Sequence, residues 1–362
     1  MNTIEEQNAN LEQQQHRPKN RIPLYDNLRG IFIAFTLLIS FMRLFEFIPY
    51  WLKHIDAGVS GALVPDGIYI PDVGVPFYLF LMSFFCFYNY RKDKEKLGFI
   101  KALSKIFVKA CILITAGFVY NVVENMLSGK RMPLLTAEWT FLIMYGVVLL
   151  FAMAFVKLKP LALFITGICL MLSTSVLFVN VPFFAESVLS NNYHGIFGVI
   201  GWLGLFLVGG AIGEYTMTKN RKMALILSGI VVGLGLIFGI LGIFLSNPYF
   251  VINKAQLSTG FLFVVLAIAV FITTALSFVK PFKEKEFFYF NFVGKNSLII
   301  FLGGCILAEA VLMVLDAKNN PSTIAIILAI AVFVSVIVTA PNVWKILKDK
   351  KQQKRTLIEN KT

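Results

Sequence analysis

The sequence predicts an all-α, polytopic integral membrane protein with about ten transmembrane helices and both termini in the cytoplasm. Three observations lead to this prediction: the overall composition, the recurrence of apolar segments, and the charge of the loops between them. Of 362 residues, 57% are hydrophobic and only 15% are charged, and the mean hydropathy is +0.76. A soluble domain of this composition would expose too much apolar surface to water, whereas a bilayer accepts it.

Apolar segments long enough to span a bilayer recur along the whole chain. About 20 apolar residues cross a hydrocarbon core of about 30 Å. We place the spans near residues 30–52, 72–90, 99–122, 136–156, 160–180, 195–216, 222–245, 257–279, 288–313 and 322–342. Residues 1–20 form a polar tail that we expect to be disordered. The membrane domain then occupies residues 21–343, and residues 344–362 form a basic cytoplasmic tail.

The loops between these spans alternate between rich and poor in basic residues. The poor set contains only Lys53, Lys130, Arg131, Lys254 and Lys318. The rich set includes the segments around residues 17–21, 91–96, 157–159, 219–222 and 280–285 and the C-terminal tail. The positive-inside rule places the rich set in the cytoplasm. The net charge of +13 is therefore a consequence of topology and does not indicate nucleic-acid binding.

His54 is the strongest catalytic candidate, because it follows the first span on the predicted outer side. Imidazole titrates near neutral pH, so His54 could serve as a general base, although a solvated interfacial side chain is an equal alternative. The chain has three histidines. The other two are His16, in the polar tail, and His194, at the end of an outer loop, whose role the sequence leaves open.

Asp72 opens the second span, and a carboxylate at a helix start is commonly a cap for free N–H groups. Alternatively, Asp72 orients His54, as a carboxylate does for a catalytic imidazole. Asp26 and Arg29 lie at the predicted cytoplasmic end of the first span. They are about 38 Å from His54 along a straight helix, so a joint role requires a substrate that reaches between them.

Two groups of charged residues lie inside the predicted spans, and each group has two possible interpretations. Arg43 and Glu46 share one face of the first span and either pair structurally or line a hydrated path. Lys101, Lys105 and Lys109 recur every four residues in the third span. They either extend toward anionic headgroups or form a cradle for a phosphate-bearing donor.

Common catalytic and metal-binding motifs are missing from the sequence. The four cysteines have no CxxC spacing, which argues against a metal site and a disulfide framework. The absence of GxxxxGK[ST] and GxGxxG phosphate loops removes support for nucleotide hydrolysis, and the absence of HExxH and GxSxG removes the common protease and hydrolase readings.

Several patches, in order, resemble the heparan-alpha-glucosaminide N-acetyltransferase family of polytopic membrane acyltransferases and its bacterial relatives. These patches are Asp26-Asn27-Leu28-Arg29-Gly30, Lys53-His54, Asp72-Val73-Gly74-Val75-Pro76-Phe77, Asn253-Lys254-Ala255-Gln256-Leu257-Ser258 and Gly294-Lys295-Asn296-Ser297-Leu298. The run that follows His54 differs from the family pattern.

The resemblance implies transfer of an acetyl group from cytoplasmic acetyl-CoA, without a metal, to an acceptor on the outer side, such as a cell-surface sugar or glycopolymer. It implies that His54 acts as base or transient acyl acceptor with Asp72 orienting it. Asp26 and Arg29 would organise the donor's phosphates, and Asn296 and Ser297 would line the donor tunnel. The expected location is a bacterial plasma membrane.

Two other functions stay open at this point. A transporter or flippase for an envelope precursor would use Arg43 and Glu46 along its substrate path. An inactive scaffold in an envelope-assembly complex is the third possibility, because the run after His54 is altered. The sequence leaves the acceptor, the length of the acyl group and the oligomeric state open, with a homo-oligomer as one option.

Overall fold

The computed structural model describes residues 22–42, 73–127, 141–181, 198–245, 249–250, 252, 257–314, 339 and 342–343. Within these ranges the chain is helical and contains no β-strand. The helices are α1 (Pro23–Met42), α2 (Gly74–Leu97), α3 (Phe99–Leu127), α4 (Phe141–Ala152), α5 (Pro160–Asn180), α6 (Gly198–Met217), α7 (Arg221–Phe244), α8 (Thr259–Phe278), α9 (Lys280–Glu284), α10 (Phe288–Lys295) and α11 (Ser297–Val314). A 3-10 turn, Met153–Phe155, continues α4.

Five of the described helices are long and apolar enough to cross a membrane, namely α3, α5, α6, α7 and α8. Helices α10 and α11 would make a sixth span if they are counted together, although the chain bends by 92° between them. The all-α class is therefore confirmed, and these apolar helices agree with a membrane protein. The total of about ten spans and the cytoplasmic position of both termini remain predictions.

Helix α6 lies at the centre of the described bundle, and its glycines allow close packing on both sides. A Cβ atom at Gly204 would lie 2.7 Å from the carbonyl oxygen of Gly167 in α5. On the other side, Gly213 lies directly against the backbone of Phe84 in α2. Small residues let helix backbones approach in an apolar environment, where no hydrophobic force draws helices together. The core therefore forms around α2 and α6, with α5 packed against α6 from outside.

The helices around this core present apolar side chains outward. In α3, α5 and α7, only 28% of the apolar window is buried, compared with 83% in α6. Helix α7 packs against α8, and the ring of Phe238 stacks on that of Phe263 at 4.8 Å between centroids. Outward apolar faces of this kind are what a lipid-exposed helix requires.

The basic turns of the sequence meet at one end of the bundle. Arg91, near the end of α2, donates from Nη2 to the carbonyl oxygen of Leu158, between α4 and α5, at 2.5 Å. The buried Asn27 side chain donates to the carbonyl of Lys285 at 2.8 Å and accepts from the N–H of Phe287 at 3.2 Å. This clustering agrees with the loop-charge alternation, which predicts one common side for these turns.

Two span boundaries differ from those expected from hydropathy. The first helix begins at Pro23 and not near residue 30, because proline fits the first turn of a helix and the polar side chains there find partners. The ninth span is broken at Asn296, whose backbone leaves the helical region at φ −113° and ψ 25°. Its side chain donates to the carbonyl of Phe292 at 2.9 Å, a local bond that competes with helix continuation.

Candidate functional site

The guanidinium group of Arg29 lies between α1 and α2. Its Nη1 lies 3.5 Å from Oδ1 of Asp26, one turn earlier in α1. Its Nη2 donates to the carbonyl oxygen of Leu81 at 3.3 Å, and the guanidinium carbon lies 5.0 Å from the centroid of the Phe85 ring. The side chain remains 21% exposed. The guanidinium is therefore oriented by three neighbours and still accessible.

A second polar contact joins α2 to the start of α11. The hydroxyl of Tyr78 lies 2.8 Å from Oγ of Ser297, and the Tyr78 ring stacks on that of Tyr145 at 5.6 Å between centroids. Tyr145 in turn donates from its hydroxyl to the carbonyl of Val75 at 2.5 Å. Tyr78 lies within electrostatic range of Arg29. These contacts group Arg29, Tyr78 and Ser297 at the junction of α1, α2 and α11.

Ser297 lies at the break between α10 and α11, where the chain turns by 92°. Helix α11 starts here, and its first intrahelical bond runs from the N–H of Ile300 to the carbonyl of Asn296 at 3.0 Å. The first N–H groups of a helix have no carbonyl partner within it and carry its positive dipole end. The break thus adds backbone donors beside the Tyr78 hydroxyl and the Arg29 guanidinium.

One face of α2 remains partly exposed from this junction toward the basic end of the bundle. It comprises Tyr78, Met82, Phe85, Cys86 and Asn89, which recur every three or four residues and are called the α2 strip below. The strip is about 16 Å long, given a rise of 1.5 Å per residue. It combines aromatic rings with hydroxyl, thiol and amide groups.

Cations from two helices act on the α2 strip. Arg29 approaches from α1, as described above, and Lys109 of α3 lies within electrostatic range of the Cys86 thiol. One turn before Lys109, the ammonium of Lys105 binds Oδ1 of Asp93 at 2.8 Å. Lys105 is therefore compensated by a carboxylate. The strip can consequently offer Arg29 and Lys109 to an elongated anionic ligand.

The structure brings together three of the four predicted donor-site residues. Asp26, Arg29 and Ser297 lie around the Tyr78 junction, and Asn296 occupies the helix break with its side-chain amide bound to Phe292. Asp26 lies in the first turn of α1 and Arg29 in the second, because the helix begins at Pro23.

The predicted catalytic pair, His54 and Asp72, lies outside the described residues. The same is true of Arg43, Glu46 and His194, and of the tails 1–20 and 344–362. The role of the pair therefore stays a prediction.

Sequence reasoning missed the central position of Tyr78 and the cation-aromatic contact of Phe85. A tyrosine inside an apolar span was the available signal for Tyr78, since a buried hydroxyl requires a partner. The contact between Arg29 and Phe85 had no such signal, because it depends on how α1 crosses α2. No group of three metal-ligating side chains occurs among the residues that the structure describes.

The described part of the chain is thus a helical bundle whose apolar helices agree with a membrane protein, with a polar strip between its helices. Comparison with known proteins gives no matching protein-family model and no matching curated protein. The resemblance to the heparan-alpha-glucosaminide N-acetyltransferase family therefore remains a prediction that rests on the motifs themselves.

Proposed function

We propose that this chain is a CoA-dependent membrane acyltransferase. It would move an acetyl or longer acyl group from cytoplasmic acyl-CoA to a sugar or glycopolymer outside a bacterial plasma membrane. The observation that carries the proposal is the α2 strip with its flanking cations. The strip extends from the basic end of the bundle, which the positive-inside rule places in the cytoplasm, to the Tyr78–Ser297 junction.

The donor's phosphates would bind Arg29 and Lys109. Charge-assisted bonds from guanidinium and ammonium groups to phosphate are among the stronger polar contacts in proteins. Asp26 would keep Arg29 in position, and Phe85 would cover one face of the guanidinium. The long arm of the donor would follow the α2 strip, where hydroxyl groups of Tyr78 and Ser297 can bond to its amides.

Transfer itself would involve His54 on the outer side. As general base, its imidazole takes the proton from the acceptor hydroxyl or amine while that atom attacks the thioester carbonyl. The carbon–sulfur bond then breaks, and the CoA thiolate leaves and receives the proton. In the covalent variant, His54 accepts the acyl group first and passes it to the acceptor. Asp72 would orient the imidazole in either case.

Binding of coenzyme A to the purified full-length protein tests the donor site. We expect Arg29→Gln to weaken the affinity by about tenfold, since a bond to a charged group is worth roughly 1.5–3 kcal/mol. Isothermal titration calorimetry measures this change. Lys222→Gln is the matched control, because it removes one exposed positive charge at the start of α7, a helix that packs against α6 and α8. Equal affinities in wild type and both variants would contradict the donor site.

Transfer of labelled acetyl groups into envelope glycans tests the catalytic role of His54. We expect His54→Ala to abolish labelling while coenzyme A binding persists. Full labelling in that variant would remove His54 from the mechanism. Coenzyme A binding without any transfer by the wild-type protein would instead favour the inactive scaffold.

A transporter or flippase is the second candidate, and the broken α10–α11 pair favours it. Discontinuous helices with exposed ends form substrate sites in many transporters, and Arg43 and Glu46 would add polar groups to the path. Solute flux in proteoliposomes without an acyl donor distinguishes the two functions. Robust flux together with no binding of coenzyme A would replace the acyltransferase proposal.

A further inference from the structure

Helix α10 crosses α1 and does not run along it. Just before α10, the N–H of Phe287 donates to the side chain of Asn27. At the other end of α10, a Cβ at Gly294 would meet the carbonyl oxygen of Asp26 and the nitrogen of Gly30. Residues 287 and 294 are about 10 Å apart along a helix, whereas their partners all belong to one turn of α1. Both ends of α10 therefore stay at the same level of α1.

Helix α11 runs alongside α1 beyond this crossing. The chain bends by 92° between α10 and α11. A Cβ at Gly304 of α11 would lie 2.8 Å from the side chain of Leu37, which is about two turns beyond Gly30 in α1. With α1 and α11 along the membrane normal, as the predicted topology requires, α10 lies close to the membrane plane.

The level of α10 coincides with the basic end of the bundle. Its crossing point is formed by the first two turns of α1, at the predicted cytoplasmic end. In addition, the hydroxyl of Tyr289 accepts a hydrogen bond from Nδ2 of Asn342 at 3.1 Å. Asn342 closes the predicted tenth span and is followed by the basic tail. Both contacts therefore assign α10 to the predicted cytoplasmic boundary of the bilayer.

The outward face of α10 is mainly aromatic. Four residues that are not buried fall within an arc of about 120° around the helix axis, namely Phe288, Tyr289, Phe292 and Lys295. Phe288 and Tyr289 are 45% and 40% exposed. Gly294, outside this arc, faces α1 as described. The helix thus has one side packed against the bundle and one aromatic side directed away from it.

We propose that α10 is an interfacial helix that lies in the plane of the cytoplasmic leaflet. Its aromatic face enters the boundary between headgroups and acyl chains. Because α10 leads directly to Ser297, its position in the leaflet also fixes the depth of the helix break. The inference rests on the predicted topology and does not depend on the acyltransferase proposal, since it concerns the position of a helix and not a ligand of the α2 strip.

The chemistry of this face fits the lipid boundary better than water or the bilayer centre. The phenyl rings of Phe288 and Phe292 gain free energy when their apolar area leaves water. Lys295, which lies 3.6 Å from Glu286, excludes the bilayer centre, where charged groups are costly. Interfacial helices combine aromatic and basic side chains in this way, with the apolar face inserted by about 5–10 Å.

Spin-label accessibility of the full-length protein in liposomes tests the orientation of α10. Phe288→Cys and Lys295→Cys, each in a variant without the four native cysteines, carry a nitroxide at opposite ends of α10 and within about 20° around its axis. Collisions with oxygen, compared with those with a water-soluble nickel chelate, report the depth of each label. We expect both labels at the same depth, just below the phosphate groups.

The matched control is a pair of labels with the same spacing on a spanning helix. Ile230→Cys and Ile237→Cys lie on the exposed side of α7, and their labels should differ in depth by about 10 Å. Lys96→Cys, exposed at the end of α2, gives the accessibility of a label in water. A depth difference of about 10 Å between the two α10 labels would overturn the proposal. Nickel accessibility of both α10 labels equal to that of Lys96→Cys would also overturn it.

Discussion

Glu214 illustrates how a single charged residue is accommodated inside this apolar bundle. It lies near the end of α6, and its side chain is only 6% exposed. Nε of Arg91 approaches its Oε1 to 2.5 Å, while another nitrogen of the same guanidinium binds the carbonyl of Leu158. A charge enclosed by low-dielectric surroundings is costly unless it is paired. Arg91 therefore joins α2, α6 and the α4–α5 turn through one side chain.

Removing Arg91 should destabilise the protein far more than removing an exposed ion pair. We expect Arg91→Ala to lower the free energy of unfolding by about 3 kcal/mol, since it leaves the Glu214 carboxylate enclosed without its partner. Asp93→Asn, which breaks the exposed pair with Lys105, should cost less than about 1 kcal/mol. Thermal unfolding in detergent compares the two. A loss in Arg91→Ala no larger than that in Asp93→Asn would contradict the structural role of the pair.

At the level of helices, the crossing of α1 and α10 determines the geometry of the candidate site. Gly30 of α1 lies against the carbonyl group of Phe290, and Gly294 of α10 lies against the carbonyl of Asp26. The two glycines thus allow mutual backbone contact at positions one turn apart on each helix. This crossing holds Asp26 and Arg29 close to the break from which α11 and Ser297 begin.

An added methyl group at this crossing should force the two helices apart. We expect Gly294→Ala to cost about 1–3 kcal/mol of stability, as overpacking does, and to weaken coenzyme A binding. A Cβ at Gly229, in contrast, would meet nothing within 4 Å. Gly229→Ala should therefore be neutral or stabilising by up to about 1 kcal/mol, given the higher helix propensity of alanine. Thermal unfolding measures both variants, and equal stabilities would show that the crossing tolerates separation.

At the level of the whole molecule, the turns rich in basic residues lie at one end of the helical bundle. The opposite end has uncharged polar contacts. The opposite end includes a contact from the Tyr249 hydroxyl to Oδ1 of Asn180, at the end of α5, at 3.3 Å. The charge difference between the two ends is the feature that orients a helical bundle in a membrane. The predicted topology, with the basic end in the cytoplasm, therefore rests on the convergence of the short basic loops.

Labelling of single cysteines tests this orientation. In a variant without the native cysteines, Lys219→Cys should react with a membrane-impermeant maleimide only after the cells are permeabilised. Asn180→Cys should react in intact cells, because it lies at the opposite end. Mass shifts on a gel report both reactions. Labelling of Lys219→Cys in intact cells would reverse the predicted topology and with it the direction of the proposed transfer.

Much of the fold and part of the candidate site could be predicted from the sequence. Apolar composition predicted the helical class, and alternating loop charge predicted which turns share a side. Asp26 and Arg29 were recognised because a charged pair stands out beside an apolar span, whereas Ser297 was assigned only from the resemblance of its segment to a family motif. The sequence analysis did not predict that the first helix starts at Pro23. Hydropathy identifies apolar segments only, whereas the first turns of this helix are polar and are stabilised by contacts with other helices.

The sequence alone determined the all-α class and the alternation between loops rich and poor in basic residues. Both depend only on composition and on the order of segments along the chain. Only the tertiary structure decided that Tyr78 meets Ser297, that Phe85 covers Arg29, and that the ninth span breaks at Asn296. These features depend on how closely helices distant in sequence approach each other. That distance is determined by glycine contacts such as those of Gly30 and Gly294 and by side-chain packing, and no local sequence pattern encodes it.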